Sequence, residues 1–259
     1  MKRLLTIVGT GNMANAVLAG VAGNYDVEVV GRDGAKLEQL QKQYGKAITT
    51  RVLNETIDVR ERVLILCVKP YALESVAAFF EGKAYALLSV LAGTTLATLR
   101  SAIEANYVVR TMPNLAAQYG KSMTTLCGDE GFKEEALQIC RSFGDALWLA
   151  SEKEIDIATA IAGSGPAYLA LVAEALADGG VREGLKREDA RILVRGLFEG
   201  MGALLGARTP AELKDAVMSP GGTTAAGYAA LERNGVRNGC IEAVGAAYTK
   251  AMEMGKKKE

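Results

Sequence analysis

Histidine is absent from the 259-residue sequence, and this absence excludes every mechanism that depends on an imidazole side chain. Ser-His-Asp and Cys-His triads, HExxH zinc sites, His-Asp couples for hydride transfer and histidine pH switches are all ruled out. Any catalysis must therefore use other groups.

Cysteine is scarce, and the four cysteines are widely spaced along the chain. Cys67, Cys127, Cys140 and Cys240 form neither a CxxC redox pair nor a zinc knuckle. We predict four reduced thiols, no metal site and a cytoplasmic protein.

Neither sign of charge is in excess, because 30 Lys and Arg residues balance 30 Asp and Glu residues. Without a basic field, the composition gives no support for a nucleic-acid partner. The apolar stretch at residues 4–8 is too short for a signal peptide, and no uninterrupted apolar run approaches the ~18 to 20 residues that cross a bilayer. We therefore expect no membrane partner.

Apolar runs alternate with helical patterns through the first 150 residues. Strands are predicted at residues 4–8, 27–30, 63–68, 86–90, 107–110 and 146–149, and helices at residues 12–22, 35–44, 71–80 and 96–105. Continuous apolar runs separated by helices are typical of parallel strands that are buried on both faces. The sequence predicts an α/β domain with a doubly wound parallel sheet over residues 1–150.

Helical patterns dominate from Ser151, where Ser151-Glu152-Lys153-Glu154 matches the S-x-x-E capping box. Apolar residues recur at three- and four-residue steps from Arg187, and Thr209-Pro210-Ala211-Glu212 starts a further helix. We place a domain boundary at Ser151 and predict an all-α domain over residues 151–259.

Four glycines fall within one helical pattern of this second domain, at positions 196, 200, 202 and 206. Each costs about 1 kcal/mol of helix propensity relative to alanine. Close approach of another helix would offset that cost. We favour a subunit interface, and packing within one chain is the alternative.

The first predicted strand leads directly into Gly9-Thr10-Gly11-Asn12-Met13-Ala14, a G-x-G-x-x-A pattern that opens a helix. Gly9 permits a tight turn, Gly11 lets the backbone approach a pyrophosphate, and Ala14 allows the helix to pack closely on the sheet. Amides at the helix N-terminus bind the anion. In this βαβ context the pattern predicts dinucleotide binding in a Rossmann-like domain.

The end of the second strand, Gly31-Arg32-Asp33, bears on the type of dinucleotide. Arg32 offers a planar cation suited to the 2′-phosphate of NADP, and Gly31 leaves room for it. Asp33 supports NAD if it binds the ribose 2′-hydroxyl, but it serves equally well as a helix N-cap. We favour NADPH, with NADH as a weaker alternative.

Val68-Lys69-Pro70 follows the strand predicted at residues 63–68. Ligands bind at the carboxyl ends of the strands in such sheets, so these residues are candidates for the dinucleotide site. The alternative is a solvated lysine before a proline that starts a helix.

Two further clusters interrupt the helical region. Gly163-Ser164-Gly165-Pro166 is either a kink or a point of close contact with a ligand or helix. Ser219-Pro220-Gly221-Gly222-Thr223-Thr224 opens a helix whose bare amides and two hydroxyls could bind a small carboxylate. An ordinary Ser/Thr cap is the alternative for this second cluster.

Together these residues resemble the pyrroline-5-carboxylate reductase family, and the similarity runs over essentially the whole chain. Its recurrent blocks occur here in order: Val108-Val109-Arg110-Thr111-Met112-Pro113-Asn114, Gly163-Ser164-Gly165-Pro166-Ala167-Tyr168, residues 174–181 and residues 219–224. The resemblance implies reduction of the C=N bond of 1-pyrroline-5-carboxylate to L-proline with NADPH, and a helical dimerisation domain that forms a homodimer or a higher homo-oligomer.

The resemblance also implies site residues. Gly9, Thr10, Gly11, Asn12, Met13, Ala14, Asn54, Val68, Lys69, Pro70, Ala92 and Gly93 would contact the dinucleotide, and Arg32 would face its 2′-phosphate. We expect Ser219, Gly221, Gly222, Thr223 and Thr224 to bind the substrate, with Thr224 as the catalytic residue that also hydrogen-bonds the ring nitrogen.

The sequence departs from the family at Asn114-Leu115-Ala116-Ala117, where Asn-Thr-Pro-Ala is common. Two alternatives to the reductase stay open: another NADP-dependent reductase of the β-hydroxyacid dehydrogenase-like plan, and a dinucleotide-binding protein without turnover. The first would carry a catalytic lysine in a Gly-x-x-x-Lys helix, whereas residues 151–178 contain only Lys153, near their start.

Overall fold

An eight-stranded sheet organises the N-terminal part of the computed structural model, which describes the backbone of residues 3–256 and the side chains of residues 3–253. The strands are β1 (Leu5–Val8), β2 (Val27–Gly31), β3 (Thr49–Val52), β4 (Ile57–Asp58), β5 (Val63–Leu66), β6 (Phe80–Glu81), β7 (Ala84–Ser89), β8 (Ala105–Met112), β9 (Ser122–Gly128) and β10 (Gly144–Trp148). The order across the sheet is β10-β9-β8-β7-β5-β1-β2-β3, while β4 and β6 pair separately.

Helices connect the strands and then take over the chain. Those between strands are α1 (Asn12–Val21), α2 (Gly34–Tyr44), α3 (Leu73–Ala77), α4 (Leu96–Ala102) and α5 (Lys133–Arg141). The remaining ones are α6 (Glu152–Ala158), a π-helical turn (Thr159–Gly163), α7 (Gly165–Arg182), α8 (Arg187–Ala207), α9 (Pro210–Val217), α10 (Thr223–Arg233) and α11 (Val236–Lys256).

Strands β1, β2 and β5 are buried on both faces because their successive side chains point into different cores. Ile7, Val29 and Ile65 belong to one hydrophobic cluster, whereas Val8 and Leu66 belong to the other. This arrangement explains the continuous apolar run of β5 and the mainly apolar sequences of β1 and β2. It confirms the predicted class: an α/β region with a doubly wound sheet, followed by helices.

Several predicted elements differ from the structure. All neighbouring strands of the large sheet pair in parallel except β8 and β9, which are antiparallel. The predicted helix at residues 71–80 is wrong in extent: a 3₁₀ turn at Pro70–Ala72 leads into the five-residue α3, and Phe80 belongs to β6. Strands β3, β4 and β9 and helix α5 are additional to the prediction.

The described residues form two compact units. The first contains residues 3–164 together with the end of α11 from Ala246, and the second is Gly165–Gly245. Helix α6 lies in the first unit, where buried Arg110 of β8 binds Glu152 at 2.8 Å and Asp156 at 2.9 Å. The domain boundary at Ser151 stays a prediction, since the compact units divide after Ser164.

The second unit buries little apolar surface of its own. Its buried hydrophobic residues are Ala177, Ala190 and Leu213. A Cβ atom added to any of glycines 196, 200, 202 and 206 of α8 would meet nothing within 4 Å, so packing within this chain does not require glycine there. A surface of this kind favours the subunit-interface interpretation of the α8 glycines.

One helical stretch of the described chain, Glu152–Arg182, is long enough to cross a membrane and contains an 18-residue window with a mean hydropathy of 1.4. It contains no long uninterrupted apolar run, because small and polar residues are dispersed through it. Only 11% of this window is buried within the described chain, and a single stretch of this kind is weak evidence for a membrane span. The absence of a membrane partner stays a prediction.

Candidate functional site

A cavity of about 900 Å³ opens at the carboxyl ends of β1, β2, β5, β7 and β8. The chain leaves β1 in one direction for β2 and β3 and returns on the other side as β5, so the strand order reverses there. Clefts at such reversal points are the usual ligand sites of open α/β sheets. Its volume lies within the range of sites for small molecules and cofactors.

The turn between β1 and α1 forms the floor of this cavity. Gly9 has φ +125°, and a Cβ there would lie 2.7 Å from the carbonyl oxygen of Cys67. Gly11 is the N-cap of α1 and has no side chain to bind the first-turn amides, and a Cβ on it would meet nothing within 4 Å. Bare amides facing open space fit the pyrophosphate of a dinucleotide.

The end of β2 forms the next part of the wall. A Cβ on Gly31 would lie 2.7 Å from Cγ2 of Thr10, so only glycine lets β2 approach the glycine-rich turn this closely. Arg32 follows, exposed, and lines the cavity. This guanidinium beside the bare turn fits a dinucleotide with an additional phosphate.

Asp33 serves as the N-cap of α2. Its Oδ1 accepts a hydrogen bond from the backbone N–H of Lys36 at 3.2 Å, and its Oδ2 lies 3.3 Å from the Lys36 ammonium. The backbone hydrogen bond is the main reason that the pKa of Asp33 lies below its ordinary value. The Asp33 carboxylate therefore caps α2, which is one of the two roles that the sequence allowed.

The opposite wall comes from β5, β7 and β8. Val68, Lys69, Pro70 and Ala92 of the predicted set line the cavity, as does the run from Gly9 to Met13. Three of the predicted dinucleotide contacts, Ala14, Asn54 and Gly93, are not among the lining residues. Ala14 is 2% exposed beneath α1, and Leu53 lines the cavity where its neighbour Asn54 does not.

Other lining residues were not predicted from the sequence, notably Lys36, Tyr71, Met112, Pro113 and Leu115. Tyr71 and Leu115 expose 84% and 57% of their surface, which is unusual for large apolar side chains. Tyr71 and Leu115 each follow the end of a strand by only a few residues. That position after a strand end could have identified them from the sequence as candidate site residues. Leu115 makes this part of the wall apolar.

The predicted substrate segment belongs to the second compact unit. Gly221 has φ +71°, and Gly222, the N-cap of α10, donates its N–H to the carbonyl oxygen of Ser219 at 3.0 Å. A Cβ on Gly222 would collide with the Ser219 hydroxyl. Thr223 and Thr224 start α10 with exposed side chains. Their amides receive no side-chain cap, which suits a carboxylate ligand.

Cysteine chemistry has little support within the described residues. All four cysteines are free, and three of them are buried. Cys67 lines the cavity, but burial raises the pKa of its thiol to about 12, so the thiol stays protonated at neutral pH. Among residues 3–253, no three His, Cys, Asp or Glu side chains come together as metal ligands.

Two family models match the chain. The model described as pyrroline-5-carboxylate reductase dimerisation matches residues 152–254, and the model described as NADP oxidoreductase, coenzyme F420-dependent, matches residues 4–93. The second match contains the glycine-rich turn and the other predicted dinucleotide contacts. The first match begins at the residue after Ser151.

Relatives that align with almost the whole chain are named pyrroline-5-carboxylate reductases. The chain is 39% identical to the pyrroline-5-carboxylate reductase of Synechocystis over 98% of each chain, and 33% identical to that of Helicobacter pylori over 93% and 95%. The solved Coxiella burnetii reductase superposes with a TM-score of 0.86 at 28% identity, covering 98% and 99% of the two chains. The Plasmodium falciparum reductase with NADP bound gives a TM-score of 0.81 at 28% identity over 98% of each chain. The chain therefore belongs to the pyrroline-5-carboxylate reductase family.

Proposed function

We propose that this chain reduces the C=N bond of 1-pyrroline-5-carboxylate to give L-proline, with NADPH preferred over NADH. The observation that carries the proposal is the similarity to named reductases along the whole chain, which includes both the dinucleotide cleft and the helical region. In this role the protein performs the last step of proline biosynthesis.

The cavity residues bind and orient the reduced dinucleotide. The amides that follow Gly11 receive the pyrophosphate, and Arg32 pairs with the 2′-phosphate. The dinucleotide supplies a hydride from C4 of its nicotinamide to the C=N carbon of the substrate. The apolar side chains of Met112 and Leu115 line the adjacent wall of the cleft.

The substrate is held by the segment before α10. The amides of Gly222, Thr223 and Thr224 bind its carboxylate, with Ser219 and Gly221 setting the turn. The Thr224 hydroxyl also hydrogen-bonds the ring nitrogen, and its oxygen accepts from the N–H once the imine is protonated. A cyclic imine can carry its own proton and is then already electrophilic, so alignment of the two reacting carbons is the main requirement and no histidine is needed.

The helical region supports a homodimer or a higher homo-oligomer. The dimerisation model covers this region, and the exposed large apolar side chains of α7 and α8 need a cover. They are Leu169, Leu171, Val172, Leu176, Ile192, Leu193, Leu197, Leu204 and Leu205. Light scattering coupled to size exclusion tests this assembly, and a monomer at micromolar concentration would contradict it.

The experiment that tests the activity combines purified protein, NADPH and 1-pyrroline-5-carboxylate. We expect NADPH absorbance to fall and L-proline to appear in equal amounts by mass spectrometry. An acyclic ketoacid of similar size is the control substrate and should give no NADPH oxidation. Turnover of the ketoacid alone would favour the β-hydroxyacid type of reductase, and dinucleotide binding without any turnover would favour a non-catalytic protein.

A further inference from the structure

The loop that follows β8 forms part of the cavity wall and is held by a residue that does not line the cavity. Met112, Pro113 and Leu115 are lining residues. Asn114, between them in the sequence, is not one of them. Its backbone N–H donates a hydrogen bond to Oγ of buried Ser122 at 3.1 Å, so β9 holds the loop from behind.

The side chain of Asn114 uses both ends of its carboxamide. Oδ1 accepts the N–H of Ala116 at 3.1 Å and thereby caps the 3₁₀ turn Leu115–Tyr119. Nδ2 donates to the carbonyl oxygen of Ala162 at 3.0 Å, within the π-helical turn Thr159–Gly163. A carboxamide has a donor and an acceptor on one short side chain, whereas an ionised carboxylate only accepts. Asn114 therefore links the loop in the cavity wall to the π-helical turn.

The π-helical turn is a firm anchor for this link. Thr159 Oγ1 donates to the carbonyl oxygen of Ile155 at 2.8 Å, and the Ser164 N–H donates to the carbonyl oxygen of Thr159 at 2.9 Å. Ile155 and Ala160 are 0% and 1% exposed. Turns of this kind within helices are frequent at functional sites.

The position of the loop decides which half of a dinucleotide it meets. A dinucleotide lies across the point where the strand order of such a sheet reverses, which is β1 in this chain. Arg32 lies on the β2 side of that point, where the 2′-phosphate is proposed to bind. The nicotinamide half then lies on the side of β7 and β8, against the loop of residues 112–115.

We infer that Asn114 is a positioning residue for hydride transfer. Its hydrogen bond to Ala162 fixes the loop of residues 112–115 against the nicotinamide and so aligns C4 with the C=N carbon of the substrate. Such alignment matters because a displacement of about 1 Å costs about 100-fold in rate. The inference rests on the proposed function and adds a residue that acts through the cavity wall. The adenosine half of the dinucleotide, on the β2 side, does not depend on this link.

Two variants break the link in different ways. Asn114→Ser can still accept the Ala116 N–H, because serine is a good cap, but its side chain is shorter and has no amide donor. Asn114→Asp keeps the size and the acceptor and loses the donor towards Ala162. The first variant adds no charge, so agreement between the two separates the lost link from a charge effect.

The test is a single-turnover measurement by stopped flow, in which the protein with bound NADPH is mixed with saturating 1-pyrroline-5-carboxylate. We expect the rate constant of NADPH oxidation to fall at least about tenfold in both variants. The dissociation constant of 2′,5′-ADP, measured by titration calorimetry, should stay unchanged. A loss of folded protein alone would lower the amplitude of the reaction and leave its rate constant as it is.

Gln41→Glu is the matched control. Gln41 is a half-buried carboxamide that also joins two elements: Nε2 donates to the carbonyl oxygen of Ile48 at 3.2 Å, and Oε1 accepts from Thr50 Oγ1 at 3.3 Å. It does not line the cavity. We expect this variant to melt at a lower temperature, as the Asn114 variants do, and to keep the rate constant of the unmodified protein.

Three results would overturn the inference while leaving the reductase activity intact. They are an unchanged rate constant in both Asn114 variants, a fall confined to Asn114→Asp, and an equal fall in Gln41→Glu. If the unmodified protein oxidises no NADPH with 1-pyrroline-5-carboxylate, the proposed function fails and the inference fails with it.

Discussion

The side-chain amide of Asn114 donates a hydrogen bond to the carbonyl oxygen of Ala162 at 3.0 Å. In a regular helix that carbonyl would accept from residue 166, but Pro166 has no N–H. Asn114 therefore supplies the donor that the helix lacks at its π-helical turn. The same side chain accepts from the N–H of Ala116 at 3.1 Å, so it also fixes the loop that carries Leu115 to the cavity.

The first prediction concerns Asn114→Asp. Aspartate keeps the acceptor for Ala116 but turns a second oxygen, without a proton at neutral pH, towards the Ala162 carbonyl. We expect a loss of about 1–2 kcal/mol in the free energy of unfolding, the usual effect of a broken, partly buried hydrogen bond. Urea denaturation measures it.

Asn24→Ala is the control for this prediction. Asn24 donates to the carbonyl oxygen of Gly20 at 3.2 Å, but its hydrogen bond is exposed to water. The loss there should stay below about 0.5 kcal/mol. An equal loss for Asn114→Asp and Asn24→Ala would remove the special role of Asn114.

The second prediction concerns Arg110, whose side chain is 4% exposed and binds both Glu152 and Asp156. Glu152 Oε1 also accepts the N–H of Leu96 at 2.8 Å, so the network joins β8, α4 and α6. Arg110→Met leaves two partly buried carboxylates without their cation. We expect a loss of about 3 kcal/mol in the free energy of unfolding by urea denaturation.

Arg60→Met is the matched control for Arg110→Met. Arg60 binds Asp58 at 2.6 Å, but both side chains are about half exposed or more. Exposed pairs of this kind contribute at most about 1 kcal/mol. If both variants lost the same stability, burial of Arg110 would have no energetic consequence.

Local pattern was sufficient to predict the strands that are buried on both faces. β1, β2 and β5 are mainly apolar runs next to glycine or helix-start residues, and their bounds differ from the prediction by two residues at most. β3 has the sequence Thr-Thr-Arg-Val and is exposed or half-buried at the sheet edge, so its pairing with β2 leaves no apolar signal. The apolar pattern of β9 is broken by Ser122, Thr124 and Thr125, so this strand is recognised only by its pairing with β8 and β10 in the structure.

Some residues of the candidate site could likewise be predicted from the sequence, and others could not. The turn from Gly9 and the cation at Arg32 follow from position in a βαβ unit, because a strand end is visible in the sequence. The contributions of Tyr71 and Leu115 depend on a 3₁₀ turn at each position, which the sequence pattern did not predict. For Asp33 the sequence allows both helix capping and ribose binding, and the hydrogen bond from the Lys36 N–H identifies the cap.

The third prediction concerns acid stability through Asp129. Burial opposes its charge, but hydrogen bonds from Arg100 Nη2 at 2.6 Å and the Val108 N–H at 2.8 Å outweigh burial and lower its pKa from 3.8. The unfolded chain therefore takes up this proton at a higher pH than the folded chain. The stabilisation is complete above the ordinary pKa and is lost as pH falls below it towards the folded value.

Comparison with Asp129→Asn measures this effect. The difference in unfolding free energy between the unmodified protein and the variant should be largest near neutral pH and should shrink below pH 3.8. Arg100→Met should weaken the same dependence, because it removes one of the two donors. A difference in unfolding free energy that stays constant between neutral and acid pH would contradict the lowered pKa of Asp129.

The fourth prediction separates chemistry from binding at α10. Thr224→Val removes the hydroxyl and keeps the shape of the side chain and the backbone amide. We expect turnover to fall about 100-fold, as for loss of one preorganised hydrogen-bonding group, while the NADPH dissociation constant stays unchanged. Thr224→Ser should restore most of the rate, and an unchanged rate in Thr224→Val would remove Thr224 from catalysis.

The fifth prediction compares two glycines of the same turn. Gly9→Ala forces an L side chain to φ +125° and places its Cβ 2.7 Å from the Cys67 carbonyl oxygen, so we expect both the melting temperature and NADPH affinity to fall. Gly11→Ala meets no atom within 4 Å, so the fold should keep its melting temperature. Its methyl group nevertheless enters the space in front of the first-turn amides of α1, and NADPH affinity should fall at least about tenfold. Thermal melts and calorimetric titration distinguish the two effects, and normal NADPH binding by Gly11→Ala would show that the pyrophosphate does not approach this turn.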